Sequence, residues 1–227
     1  MTAKLTIAIS GIDGSGKTTL ANALEMYFRK KQKRVTVVWF RWKAFLQYLL
    51  FVYSNLRGLK RNVRTTSGTT IKRHFLEKDP ITRRVYPLFL LFDLLVYYLA
   101  HKLLIRFRNM EVVIYDRQFV DVAVDTLSYC LKAYVHERCL MLRFILRLLL
   151  ALAKHVDLII ILDVSPQIAL KRKSDIWESY RELDVRRRFY LLIAAHLNAC
   201  LIDATNSPQE ILRKALTSCF NSNIQYN

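Results

Sequence analysis

Residues 11–18 read Gly-Ile-Asp-Gly-Ser-Gly-Lys-Thr and fill every fixed position of the pattern G-x-x-x-x-G-K-[ST]. This pattern forms a phosphate-binding loop when it follows a strand and opens a helix. The apolar, β-prone residues 5–10 precede it, and apolar residues recur at helical spacing from Lys17 to about Arg29. The context therefore predicts that backbone N–H groups and a helix N-terminus meet a phosphate chain here.

The residue types of this loop suit a nucleoside triphosphate together with a metal ion. Its glycines let the backbone approach an anion, the Lys17 ammonium can reach the β- and γ-phosphates, and the Thr18 hydroxyl can hold Mg²⁺. We predict ATP and Mg²⁺ as ligands, with ATP contacts from Gly11, Gly14, Ser15, Gly16, Lys17, Thr18 and Thr19.

Five short runs rich in Val and Ile are typical of buried parallel strands. They are continuous rather than alternating, and helical patterns separate them, so the sequence predicts an α/β fold with a five-stranded parallel sheet covered on both faces. Right-handed crossovers would place all the strand C-termini on one edge, where ligands bind. The runs are residues 5–10, 34–40, 112–116, 158–163 and 199–203.

The length of 227 residues predicts one domain, residues 1–227. About seventy residues after the second strand look mostly helical, broken by a polar, β-branched stretch at 64–70, and are predicted to be an acceptor-binding insertion at about 41–110. An arginine-rich segment at about 172–188 would form a mobile lid that brings cations to a transferring phosphoryl group. Arg181 is the predicted catalytic arginine there, with an exposed basic helix as the open alternative.

The composition is strongly basic. Lys and Arg number 36 against 18 Asp and Glu, a formal charge of +18, which points to anionic partners without choosing among them. Binding to nucleic acid is disfavoured, because no recognition-helix, zinc-finger or stacking-platform motif is evident. Four cysteines without C-x-x-C spacing and an N-terminus without an export signal predict reduced thiols in a cytoplasmic protein.

Two apolar stretches, residues 87–100 and 140–153, raise the question of a membrane span. Both fall short of the ~20 uncharged residues that a spanning helix needs, so we predict buried core helices and no span. Residues 44–53 are also apolar, and their side chains could line a pocket or touch a lipid surface, which leaves surface association open.

Two acidic residues compete for the metal. Asp116 ends the strand Val112-Val113-Ile114-Tyr115 and precedes Arg117, so it could hold Mg²⁺ while the arginine neutralises a phosphate. Asp163 also ends a strand, but the following Ser165-Pro166 is typical of a helix N-cap and first turn, which gives that region a structural role. We therefore predict Asp116 as the metal ligand.

Four motifs, in order and over nearly the whole chain, resemble thymidylate kinase. The combination is more specific than the phosphate-binding loop alone, and it implies a three-layer P-loop NTPase fold. The motifs are Gly-Ile-Asp-Gly-Ser-Gly-Lys-Thr-Thr, Ile-Tyr-Asp-Arg, Ile-Leu-Asp-Val-Ser-Pro-Gln-Ile-Ala-Leu-Lys-Arg and Leu-Ile-Asp-Ala-Thr-Asn-Ser-Pro-Gln-Glu-Ile, at residues 11–19, 114–117, 161–172 and 201–211.

The resemblance assigns roles to residues at matching positions. Asp13 would face the acceptor nucleotide's sugar, and Asp116 with Arg117 would serve the metal and the acceptor phosphate. Arg172 and the turn at Ala204 and Thr205 would flank the ATP adenine. The resemblance also leads us to assign acceptor binding to Arg41, Phe89 and Asp93. Together with the roles argued above for Lys17 and Arg181, it gives Lys17, Asp13, Arg117 and Arg181 as the predicted catalytic residues.

Three departures weaken the acceptor side of the resemblance. After the second strand the family usually has Arg-Glu-Pro-Gly-Gly-Thr, whereas this chain keeps only Arg41. The thymine-reading Asp-Arg pair is Asp93-Leu94 here, the stacking aromatic position falls on Leu90, and the tyrosine that commonly follows the Asp-Arg pair is Gln118. ATP-dependent phosphoryl transfer is therefore better supported than dTMP as the acceptor.

The sequence thus predicts a nucleoside monophosphate kinase, with dTMP favoured as acceptor. Two alternatives stay open: a kinase of the same fold with a different, amphiphilic acceptor, and an NTP-dependent nucleic-acid-binding protein. A homodimer is also left open by the sequence.

Overall fold

The computed structural model describes residues 5–40, 45–64, 68, 70–132, 140–173, 175–176 and 178–224. Its strands are β1 (Leu5–Gly11), β2 (Val35–Trp39), β3 (Lys60–Arg64), β4 (Thr70–His74), β5 (Val112–Asp116), β6 (Leu158–Asp163) and β7 (Cys200–Asp203). Its α-helices are α1 (Lys17–Lys30), α2 (Leu46–Leu56), α3 (Pro80–Arg108), α4 (Phe119–Lys132), α5 (Leu140–Ala153), α6 (Pro166–Arg172), α7 (Tyr180–Leu197) and α8 (Pro208–Ile224).

The predicted parallel sheet is confirmed, with the strand order β2-β5-β1-β6-β7. Ile7, Ile114 and Ile160 in the three central strands are completely buried, as expected for strands covered on both faces. In the strand register, Ile9 lies opposite Asp116 and Gly11 lies opposite Leu162. The loop after β1 and the acidic end of β5 therefore meet at the same edge of the sheet.

Backbone geometry explains two glycines of the loop between β1 and α1. Gly11 and Gly14 have φ angles of +146° and +83°, which side chains rarely tolerate. A Cβ atom would lie 2.6 Å from the Leu162 carbonyl oxygen at Gly11 and 2.5 Å from the Ala169 carbonyl oxygen at Gly14. The loop can therefore pack against β6 and α6 only because these side chains are absent.

The long connection between β2 and β5 contains structure that the sequence did not predict. In its described part, α2 is followed by the antiparallel hairpin β3-β4, a 3₁₀ turn at Leu76–Lys78 and α3. Arg64 and Thr70, the two ends of the stretch 64–70 that was expected merely to break a helical region, end β3 and begin β4. The strands of the hairpin are polar and basic, so they lack the apolar runs by which buried strands are recognised.

Residues 87–100 form the expected helix, but only one of its faces is buried. They lie in α3, and only 28% of the most apolar window of Arg84–Arg108 is buried. Leu91, Leu94, Tyr98 and Ile105 pack into the core, while the opposite side of the helix is exposed. By length and composition alone, Arg84–Arg108 passes as a membrane-spanning helix among the residues described.

The second apolar stretch, residues 140–153, forms helix α5, which likewise buries only one face. Its buried residues are Leu142, Ile145, Leu149 and Ala153 at helical spacing, while Leu140 and Phe144 are exposed. Its exposed side also carries Arg143 and Arg147, one turn apart, so the one-sided pattern was present in the sequence.

Candidate active site

The structure brings the predicted loop residues and the Asp-Arg pair together at the carboxyl edge of the sheet. The Thr18 hydroxyl donates a hydrogen bond of 2.7 Å to Oδ2 of Asp116, at the end of the neighbouring strand β5. The Arg117 guanidinium donates through Nη2 to Oδ1 of Asp13, within the loop. Residues separated by about a hundred positions in sequence thus form one cluster.

The oxygens of Thr18 and Asp116 fit a magnesium site. Asp116 is buried, and its Oδ1 atom has no hydrogen-bond partner among the described residues. Mg²⁺ commonly takes one or two carboxylates and completes its octahedron with phosphate oxygens and water. The described residues contain no group of three or more His, Cys, Asp or Glu side chains that could hold a metal alone. The donor set therefore fits a metal shared with a phosphate chain.

Asp163, the rival metal ligand, has other partners. Its two carboxylate oxygens accept hydrogen bonds from Nε and Nη2 of Arg187 at 2.6 and 2.8 Å. These bonds raise the pKa of the Arg187 guanidinium. As the sequence predicts, Ser165 caps α6 by accepting the Ile168 N–H at 3.4 Å. The geometry thus favours Asp116 over Asp163 for the metal.

Lys17 is buried inside the phosphate-binding loop. Its ammonium donates to the carbonyl oxygens of Gly11 and Ile12 at 2.8 and 2.7 Å, and lies 3.9 Å from Oδ1 of Asp13. Burial, helped by the positive charge of Arg117, lowers the pKa of Lys17 from 10.5 to about 7. An anionic ligand in the loop would stabilise the charged form and raise this pKa again.

Binding of a nucleoside triphosphate at pH 8 is therefore expected to take up a proton. Above a pKa of about 7 the free Lys17 is mostly neutral, whereas the phosphate-bound side chain carries its charge, so affinity should fall as pH rises. Calorimetry in two buffers of different ionisation enthalpy measures the uptake. Lys17→Arg is the control, because a guanidinium keeps its proton in both states. Equal binding heats in both buffers for the unmodified protein would show that no proton is taken up on binding, and would refute this prediction.

Arg117 is held in an unusual backbone conformation. Its φ angle is +74°, in the left-handed region that costs a non-glycine residue about 1–3 kcal/mol. Burial lowers the pKa of its guanidinium, but the nearby carboxylates of Asp121 and Asp13 more than offset this and raise the pKa overall. Nη1 lies 3.7 Å from Oδ1 of Asp121 and makes no hydrogen bond with the described residues. The fold thus fixes a charged group that still has hydrogen atoms for an anion.

A buried hydrogen-bond network around Asp121 positions Arg117. The sequence did not lead us to predict this network. Asp121 accepts hydrogen bonds from the Ser10 hydroxyl at 2.6 Å, the Gln118 N–H at 3.0 Å and the Tyr190 hydroxyl at 2.8 Å. It stands one helical turn after Arg117, within the otherwise apolar start of α4. A carboxylate in the apolar start of a helix was the available signal, because such a group must find partners when buried.

The residues predicted to flank the adenine also lie together. Nη1 of Arg172 donates to the Ala204 carbonyl oxygen at 2.8 Å, and Thr205 is held by Oδ1 of Asp203 through its N–H and hydroxyl at 2.9 and 2.7 Å. A cavity of about 220 Å³ separates this region from the loop. Its lining consists of Ser15, Gly16, Thr19, Leu20, Ala23, Arg172, Asn206, Pro208 and Ile211.

On the acceptor side, the structure gives Asp93 a different role. Its buried carboxylate accepts the backbone N–H groups of Phe45, Leu46 and Gln47 at 2.9 to 3.2 Å, so it caps the N-terminus of α2. It is not brought to the loop. Phe89 is half-buried on α3.

Other acceptor-side positions are also explained by packing. Leu94 belongs to the core, and Nε2 of Gln118 donates to the Ala153 carbonyl oxygen at 3.4 Å, toward α5. Arg41 lies outside the described residues.

Arg181 is exposed and lies at a second cavity, of about 400 Å³. No residue of the phosphate-binding loop lines it; its lining is Ser128, Leu131, Ser179, Arg181, Glu182, Val185 and Arg186. Residues 180–188 of the predicted lid begin α7, and Ser179 and Glu182 form a capping box there. This geometry does not bring Arg181 to the loop.

Arg186, in the same segment, is buried rather than mobile. It pairs with Asp125 and lies 3.3 Å from Oε1 of Glu178. Burial lowers the pKa of this guanidinium, but Asp125 and Glu178 raise it well above its ordinary value overall. The arginine-rich segment therefore contributes structural ion pairs.

Comparison with known proteins gives one distant curated relative of nearly equal length. The chain is 25% identical over 218 residues to a probable thymidylate kinase 1 from Saccharolobus solfataricus, covering 92% of this chain and 94% of the relative. No model of a known protein family matches the chain.

Solved structures share the fold. A deoxyadenosine kinase from M. mycoides with bound dATP superposes with a TM-score of 0.57 at 15% identity, covering 94% of this chain and 98% of that one. The same enzyme with the products dCMP and a flexible dCDP bound gives a TM-score of 0.50 at 16% identity, covering 96% and 100%. At this identity the likeness establishes the fold.

Proposed function

We propose that this chain transfers the γ-phosphoryl group of ATP to a nucleoside monophosphate, with dTMP as the favoured acceptor. The chain is a P-loop kinase of nucleosides or nucleotides and a distant homologue of thymidylate kinase. The observation that carries the proposal is the cluster at one sheet edge: Lys17 in its glycine loop, the Thr18–Asp116 pair, and Arg117 with hydrogen atoms left for an anion.

Each residue of the cluster has a role in such a transfer. The Lys17 ammonium and the N-terminus of α1 bind the donor phosphates. Thr18 with Asp116 would hold Mg²⁺, which would neutralise charge on the phosphate oxygens. Arg117 binds the acceptor phosphate, and Asp13 orients both Arg117 and the acceptor sugar. Phosphoryl transfer depends mainly on positioning and positive charge, which this set supplies.

A nucleoside as acceptor is the second candidate. Three carboxylates, Asp13, Asp116 and Asp121, face two cationic side chains here, Lys17 and Arg117. The net negative charge of these five side chains favours a neutral hydroxyl acceptor over a doubly charged phosphate when Mg²⁺ is absent. Bound Mg²⁺ would add positive charge and reduce this preference. Deoxyadenosine kinase, which has this fold, acts on a substrate of that class by its name.

Calorimetric titration separates the two acceptors. In the presence of a non-hydrolysable ATP analogue and Mg²⁺, we expect dTMP to bind more tightly than thymidine, because a charge-assisted hydrogen bond to Arg117 contributes about 1.5–3 kcal/mol, roughly 10–100-fold in affinity. dUMP, CMP and AMP complete the panel and test the base. Arg117→Gln should abolish the preference for the monophosphate while leaving binding of the ATP analogue intact.

Two outcomes would contradict the proposal. Tight binding of thymidine or deoxyadenosine, with no gain from the 5′-phosphate, would make the protein a nucleoside kinase. Binding of the ATP analogue with no binding of any nucleoside or nucleotide would favour the amphiphilic acceptor.

A further inference from the structure

The exposed side of α3 carries a continuous apolar stripe. Taking about 100° per residue, six exposed apolar residues fall within an arc of about 100° around the helix axis, and the exposed Leu104 lies about 60° outside it; the six are Leu88, Phe92, Val96, Leu99, Leu103 and Phe107. Leu99 and Phe107 are 64% and 78% exposed. Such a contiguous surface on a helix marks an interaction site rather than scattered surface residues.

We propose that this stripe is a docking surface for an anionic phospholipid bilayer, on which α3 lies in the plane of the interface. The charged residues beside the stripe favour an anionic partner. The exposed charged side chains described on α3 are all basic: Arg84, Lys102, Arg106 and Arg108. On the helical wheel Arg84, Lys102 and Arg106 border the stripe at its edge. An apolar face edged with Lys and Arg is the pattern of interfacial helices that bind anionic lipid.

The elements next to α3 also expose apolar and basic side chains. Helix α2, which packs against α3, exposes Tyr48, Leu49, Val52 and Leu56 and contains no charged residue. The hairpin that follows exposes Lys60, Arg61 and Lys72. No Asp or Glu occurs in residues 45–76. Each Lys or Arg near an anionic leaflet adds to the electrostatic attraction.

The packing of α3 indicates that it lies on a membrane rather than crossing it. Its other face belongs to the protein core through Leu91, Leu94 and Tyr98. The carboxylate of Asp93 is buried and holds three backbone N–H groups at the start of α2. A spanning orientation would require breaking these contacts, whereas an in-plane orientation leaves them intact.

A second copy of the chain is the less favoured occupant of this surface. A two-fold dimer places the same patch on both sides of the interface. Two α3 stripes packed in this way would face each other with basic borders only. Like charges opposed across an interface are unfavourable, while anionic headgroups would neutralise them.

Vesicle sedimentation with the full-length protein tests the proposal. We expect it to sediment with vesicles of phosphatidylcholine mixed with phosphatidylglycerol, and far less with phosphatidylcholine alone or at high salt. Leu99→Gln with Leu103→Gln removes apolar surface, and Lys102→Glu with Arg106→Glu reverses two charges. Each pair should weaken partitioning at least about tenfold. All four side chains are exposed, so the fold and nucleotide binding should be unchanged.

Matched controls isolate the surface from net charge and general hydrophobicity. Lys30→Glu with Lys31→Glu changes the net charge by the same amount at the end of α1, and Leu192→Gln removes an exposed leucine of α7. Both controls should sediment like the unmodified protein. The proposal is wrong if no anionic vesicle binds the protein, or if the controls lose binding as strongly. A dimer in light scattering that Leu99→Gln with Leu103→Gln dissociates, without vesicle binding, would also overturn it.

Discussion

Replacement of Lys17 with alanine is expected to lower kcat roughly 10²- to 10³-fold, the effect of removing one preorganised electrostatic donor, about 2.7–4 kcal/mol. The buried ammonium is the cation that the loop places at the phosphate-binding site. The protein should remain folded, because the variant removes a buried group whose charged form is penalised by desolvation. Steady-state turnover of ATP and a thermal melt measure the two effects.

Lys30→Ala is the matched control for this experiment. It removes an exposed lysine from the last turn of the same helix α1 and should leave kcat unchanged. If Lys17→Ala kept nearly full turnover, the assignment of residues 11–18 as the phosphate-binding loop would be wrong.

The second large effect is expected at Asp116. Asp116→Asn should lower metal-dependent turnover roughly 10- to 100-fold and raise the Mg²⁺ concentration needed for half-maximal activity. The amide keeps the volume of the side chain but removes the negative charge beside Thr18. Magnesium titrations of turnover measure both quantities.

Asp163→Asn provides the comparison within the same sheet edge. Because the Asp163 carboxylate is held by Arg187, the variant should lower the melting temperature and leave the Mg²⁺ requirement as it was. Should only Asp163→Asn shift that requirement, the metal assignment belongs to Asp163 instead.

The central sheet and the loop could be predicted from the sequence because their signals are local. Buried parallel strands read as unbroken apolar runs, and the loop has a fixed pattern between a strand and a helix. The choice of Asp116 over Asp163 also followed from local signals, since only Asp163 is followed by a Ser-Pro helix start.

Other features depend on contacts between distant residues, and the sequence could not predict them. Ser10 bonds Asp121 across 111 positions and Tyr190 bonds it across 69, while Asp93 caps a helix about 47 positions earlier. Family resemblance placed Asp93 at the acceptor, but the leucine that follows it is a core residue here. Among the side chains described in the hairpin β3-β4 none is buried, and its strands show no clear apolar alternation that would have predicted it.

Product analysis tests the central claim most directly. The protein is incubated with ATP, Mg²⁺ and dTMP, and the nucleotides are separated by ion-exchange chromatography. We predict dTDP and ADP in equal amounts, both formed roughly 10²- to 10³-fold more slowly by Lys17→Ala. Formation of ADP with inorganic phosphate alone, or dTMP made from thymidine with dTMP itself left unphosphorylated, would contradict the claim.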